Sequence, residues 1–171
     1  MKRFSVVALL LVLSVGLWGY RAYQKSLVEQ EDAEIWLNVK ASTAASEKWN
    51  ADTNATPAKL PAMRELAIND SAVVEEAYHD MTQAQEGWYR RIQRSPVSPA
   101  CQESMSNFFR LNGEIASVQV EVKNLEINAD FDTDAGLKKF GEDLAALIAR
   151  ENDAKEKLKT VPTSYKPCEG Q

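Results

Sequence analysis

The side chains with the greatest chemical reach in this chain are two cysteines, one histidine and a run of alternating acids. Cys101 and Cys168 are an even pair, the number that closes one disulfide in an oxidising compartment. His79 is the only histidine, which excludes two-histidine zinc motifs. Its neighbour Asp80 makes a poor dyad partner, because adjacent residues on a helix point about 100° apart. Asp130, Asp132 and Asp134 alternate in Asp130-Phe131-Asp132-Thr133-Asp134-Ala135-Gly136-Leu137, as the ligands opening a calcium loop do. That pattern needs Gly at the sixth position and Glu at the twelfth; here Ala135 and Gly141 stand there, with Glu142 one place late. Calcium is therefore the weaker reading. The stronger is a helix start with Asp132 or Thr133 as N-cap and the acids near the positive helix end. Nucleophile-elbow, Walker A and G-x-G-x-x-G motifs are missing from the sequence. No catalytic residue, cofactor or metal is implied, and the chain reads as a non-enzyme.

The element that must place this body is the N-terminus. Lys2 and Arg3 precede 17 uncharged residues, 4–20, which Arg21 ends. Phe4, Leu10, Leu13 and Leu17 are typical of the run, and Trp18 and Tyr20 sit where interfacial aromatics belong. The length just reaches the roughly 17–25 residues of a membrane span. A basic start and an apolar stretch also fit a secretory signal. Small residues before a cleavage point are poorly placed, with Leu17, Trp18 and Tyr20 crowding Gly16 and Gly19. The expectation is an uncleaved signal anchor with a cytoplasmic N-terminus and a periplasmic body, single-pass in a bacterial inner membrane. Secretion after signal cleavage is the alternative.

All six prolines fall at three places: Pro57 and Pro61, Pro96 and Pro99, Pro162 and Pro167. Proline breaks helix interiors, so the pieces between are expected to be helices. A first helix runs from the membrane to about residue 52. The second spans roughly 62–94, with a seam through Val74, Met81 and Trp88. The third runs 99–128, capped by Ser98, with Met105, Phe108, Ile115 and Val122 inside. The fourth runs to about residue 160 through Leu137, Phe140, Leu144 and Leu147. Residues 116–122, ASVQVEV, alternate like a strand, but the helical period continues on both sides. The small-residue stretch Ala41-Ser42-Thr43-Ala44-Ala45-Ser46 is read as an exposed turn of helix, with close helix approach as the sharper alternative. Trp36, Trp49 and Trp88 at helical spacing suit core anchors better than a ligand pocket.

The predicted fold is all-α: an anchor helix, then an antiparallel bundle or elongated hairpin of three to four long helices. Its segments are an anchor over 1–22, a membrane-proximal helix over 23–57, and a bundle over 58–171. Helices of about 40 Å joined by a short turn lie antiparallel. The fourth helix therefore returns to the start of the third, bringing Cys168 beside Cys101 and predicting an intrachain disulfide that pins the tail.

Composition bounds the partners. The 171 residues are 44% hydrophobic and 26% charged, enough to bury a core, and the net charge of -5 argues against nucleic acid. The bilayer and an envelope protein are the expected partners, with homo-oligomerisation left open. The function class is an extracytoplasmic interaction, scaffold or accessory protein tethered to the inner membrane. Two alternatives stand. One is a periplasmic ligand-binding bundle like that of four-helix sensor domains. The other is envelope bridging in lysis: the layout of anchor, periplasmic helices and paired cysteines resembles the inner-membrane spanins of phages.

Overall fold

A computed structural model of the chain describes residues 2–56, 59–162 and 168, with side chains from residue 17 onward. Among these residues lie five helices and no strand: α1 (Lys2–Ala55), α2 (Leu60–Asn69), α3 (Ser71–Arg94), α4 (Pro99–Asn128) and α5 (Asp134–Leu158). Residues 116–122, the strand-like stretch, lie within α4. Ser98 caps α4 by accepting from the Cys101 N–H at 3.2 Å, and Pro99 occupies the first turn, where its missing N–H costs nothing.

The expected single helix over 62–94 is two. α2 ends and α3 begins at Asp70, whose φ of -98° and ψ of 11° leave the helical region. Asn69, Asp70 and Ser71 are the residue types whose side chains compete with helical backbone bonding. The Asp70 N–H still bonds the Leu66 carbonyl at 2.8 Å, and its own carbonyl takes the Val74 N–H at 3.2 Å, so these two bonds persist through the kink.

Cross-helix pairs fix the directions. Along α1 and α3, Glu31 pairs with Arg94, Asp32 with Arg91 at 3.1 Å, and Lys48 with Asp70 at 3.4 Å, an antiparallel register. The two helices approach closely. The Ser42 hydroxyl, 1% exposed, donates to the Ala77 carbonyl at 2.6 Å. A Cβ on Gly87 would stand 2.9 Å from Ile35 Cγ1. At Ser42 the small-residue stretch is thus a contact, while Ala41, Thr43 and Ala44 are exposed. α4 runs antiparallel to α3, with Lys123 against Glu75 at one end and the rings of Trp88 and Phe109 6.1 Å apart towards the other. α5 returns along α4, where Arg150 meets Glu121 at 2.8 Å. Among the described residues α5 packs on α4 alone, so the helices form an elongated array rather than a closed square bundle.

Among the described residues two apolar clusters hold it. One joins Ile35, Val39, Met81, Ala84, Trp88, Cys101, Met105, Phe108 and Phe109 from α1, α3 and α4. The other joins Trp49, Ala67 and Val74 where α2 covers the opposite end. Of the expected core, Val74, Met81, Trp88, Met105, Phe108 and Phe140 are buried. Leu137 is not: it is 37% exposed, and Leu144, Leu147, Ile115 and Val122 are only half-buried. The reason is that α5 has one packing neighbour, which covers a narrow strip of its apolar face. α4 lies between α3 and α5 and buries residues on both sides, so one apolar seam cannot describe it. Its inner stripe turns polar, with Gln119, Lys123 and Glu126 buried one or two turns apart.

Cys101 and Cys168 form a disulfide with Cα atoms 5.1 Å apart. Cys168 and Leu158 pack against the first cluster, so the bridge holds the end of the chain over the start of α4. Among the described residues no helix is long and apolar enough to cross a membrane. The side chains of Phe4, Leu10 and Leu13, like most of the apolar run, lie outside the described residues. α1 passes through residue 22 without a break, and its Ile35, Val39 and Trp49 belong to the core of the body.

Candidate interaction sites

The antiparallel register gives the array two ends. α1 emerges beside the end of α3, where Arg94 meets Glu31. The opposite end is built from α2, the start of α3 and the α4–α5 turn.

That far end carries a groove of about 510 Å³ lined by Leu60, Arg64, Glu65, Ile68, Phe131 and Asp132 among others. It forms on the strip of α2 beside the one that packs on the core. Ala67 and Leu66 face the second core cluster. Leu60, Arg64 and Ile68, spaced by four, line the groove on the next strip of the helix. Ile68 is 56% exposed.

Arg64 fixes the groove's floor. Its Nε donates to the Glu126 carbonyl at 3.4 Å and its Nη2 to the Ala129 carbonyl. A guanidinium there satisfies carbonyls that the end of α4 leaves open and complements its negative dipole end. The guanidinium also lies 4.6 Å from the centre of the Phe131 ring, and Phe131 meets Phe140 edge-on at 5.0 Å. Arg64 thus holds the α4–α5 turn against α2. Exposed Glu65 and Asp132 give the groove an acidic rim. Its chemistry suits apolar side chains with a basic neighbour; no nucleophile and base converge in it.

The alternating acids cap a helix. Asp130 accepts the Asp132 N–H and the Thr133 hydroxyl, each at 3.0 Å, and Thr133 accepts the Gly136 N–H at 3.0 Å. Thr133 is the N-cap of α5. This is the capping expected for Asp130, Asp132 and Asp134, with the Asp130 carboxylate accepting two hydrogen bonds within the turn. Among the described residues no three acidic, histidine or cysteine side chains gather in a way that could hold a metal ion. The turn explains Gly136, where a Cβ would come 2.1 Å from the Asp130 carbonyl oxygen.

The remaining chemistry-bearing residues do not converge. His79 is exposed on α3. Trp36 packs its ring 5.8 Å from Phe108, and Trp49 and Trp88 are buried, so these three tryptophans serve the core. Lys123, 3% exposed, donates to Glu75 at 2.6 Å and Ser71 at 3.2 Å. That hydrogen bond, and then the ammonium charge, hold the Glu75 carboxyl below its ordinary range. Glu126, 2% exposed, goes the other way: burial pushes its carboxyl up to about 7. Neither the groove nor this polar stripe was read from sequence. The four-residue spacing of Leu60, Arg64 and Ile68 was the available signal, hidden because it lies off the main seam. Compared with known proteins, the chain matches no family model, and no curated protein or solved structure shows significant similarity to it.

Proposed function

We propose that this protein is a non-enzymatic envelope interaction protein, tethered to the inner membrane through residues 4–20 with its helical body on the extracytoplasmic side. The observation that carries this reading is the continuity of α1. One helix leads from the apolar run into the core, and where side chains are described Leu17, Trp18, Tyr20 and Tyr23 are 61–76% exposed. Aromatic side chains bared in a band next to an apolar run are what a bilayer interface accommodates. From Tyr20 to the end of α1 the helix rises about 50 Å, which would hold the α2 groove well clear of the membrane for an apolar, basic segment of a protein partner.

Fractionation tests the tether. The full chain is expected with membranes, resistant to salt and accessible to protease only from the extracytoplasmic side. A soluble form lacking residues 1–22 would replace the tether by a cleaved signal. The groove also favours a second reading, a ligand-binding bundle, for which a small molecule should raise the melting temperature of the wild type but not of Ile68→Glu. Spanin-like bridging is less favoured, because both cysteines are used within one chain; a covalent dimer on a non-reducing gel would restore it.

A further inference from the structure

A second cleft, of about 560 Å³, lies in the crook where α1 leaves the body. Tyr20, Lys25 and Val28 of α1 form one wall, and Arg91, Arg94 and Ser95 at the end of α3 form the other. Two features of this place point to one kind of ligand. First, the cleft opens immediately beside the exposed aromatic band of Trp18, Tyr20 and Tyr23. Second, its basic groups are held in place. Glu31 pairs with Arg94, and Asp32 with Arg91, whose Nη1 also donates to the Ser95 carbonyl at 2.9 Å. Lys25 is 77% exposed and paired at 3.8 Å with Glu29, an acid that also lines the cleft.

We infer that this cleft binds the phosphodiester headgroup of an anionic phospholipid in the leaflet facing the body, with Lys25 and Arg94 as its cationic contacts and Tyr20 against the glycerol. The inference rests on the tether proposed above. Arg94 is fixed from behind by Glu31, so its planar fork is oriented before the lipid arrives, and Lys25 supplies a mobile second charge. A bound headgroup would set the angle at which the body stands on the membrane.

The test uses the full chain reconstituted into phosphatidylcholine vesicles carrying a trace of dansyl-labelled phosphatidylglycerol or dansyl-labelled phosphatidylcholine, with energy transfer from tryptophan as readout. Transfer to the glycerol lipid should exceed transfer to the choline lipid by about two- to fivefold, the worth of one basic residue at an anionic surface. Lys25→Gln and Arg94→Gln should each reduce the excess. Arg110→Gln, the same charge change on an exposed arginine of α4, should leave it intact. Millimolar inorganic phosphate should not compete. Equal transfer to both lipids with the protein inserted would overturn the headgroup site while leaving the tether standing. An equal effect of Arg110→Gln would reduce it to net charge, and full competition by phosphate would make it a site for a free anion. Failure of the chain to insert at all would remove the tether, and this site with it.

Discussion

Glu126 sits on the inner stripe of α4 with Gln119 and Lys123, 2% exposed, and among the described residues its Oε2 has no hydrogen-bond partner. The charged groups around it are otherwise engaged. Lys123 is held by Glu75 and Ser71, and Arg64 donates to the Glu126 backbone carbonyl. Burial alone therefore sets its carboxyl, which rises from an ordinary 4.5 to about 7. The consequence for stability follows from proton linkage. Below the unfolded value the group is protonated in both states and costs nothing. Between the two values the folded state keeps a proton that the unfolded state has lost, so stability falls as pH rises, and above about 7 the loss is complete. The size of the shift makes that loss at most about 3 kcal/mol. Glu126→Gln removes the titration while keeping the shape. The buried amide adds an offset, but one that does not change with pH. The stability difference between variant and wild type should therefore move in the variant's favour by up to about 3 kcal/mol from about pH 4 to about pH 8. In thermal melts followed by circular dichroism this is a relative shift of about 6–12 °C for a chain of this size. A difference that stays flat across that range would refute the reasoning and mean that water or a partner reaches the carboxylate.

Gly136→Ala should destabilise by about 1–3 kcal/mol, because its methyl group must displace the α4–α5 turn at Asp130. Gly141→Ala, with nothing within 4 Å of the new Cβ, should instead stabilise by about 0.5–1 kcal/mol in the same denaturant titration. Trp88→Ala, fully buried between α1, α3 and α4, should cost about 3–5 kcal/mol, whereas Leu137→Ala, 37% exposed on α5, should cost under about 1 kcal/mol. Cys168→Ser should lose about 4 kcal/mol in the loop-entropy account of a 67-residue separation. Its helix content by circular dichroism should remain, because both apolar clusters form without the bridge.

Local signals settled the class and much of the layout by themselves. Prolines at three places marked where helices stop, Ser98 and Pro99 marked where α4 begins, and the three- and four-residue steps through Val74, Met81 and Trp88 marked a buried face. These are properties of a few neighbouring residues, so no tertiary knowledge is needed to read them. The disulfide was legible one step further on, because antiparallel helices of similar length must bring the tail back to Cys101. What lay beyond reach depended on how many neighbours each helix has. Periodicity shows that Leu137 and Leu144 share a face with Phe140, but not that α5 is covered by α4 alone. It cannot show that α4 is flanked on two sides and turns Gln119, Lys123 and Glu126 inward. The break at Asp70 likewise needed the fold. Asn69-Asp70-Ser71 only weakens a helix, and Lys48 of α1 and the packing of α2 over Trp49 occupy the kink. The two clefts are tertiary in the strictest sense, since Arg64 meets Phe131, and Lys25 lines a cleft with Arg94, across more than sixty residues of chain. Their chemistry comes from side chains that sequence order keeps apart and helix packing brings together.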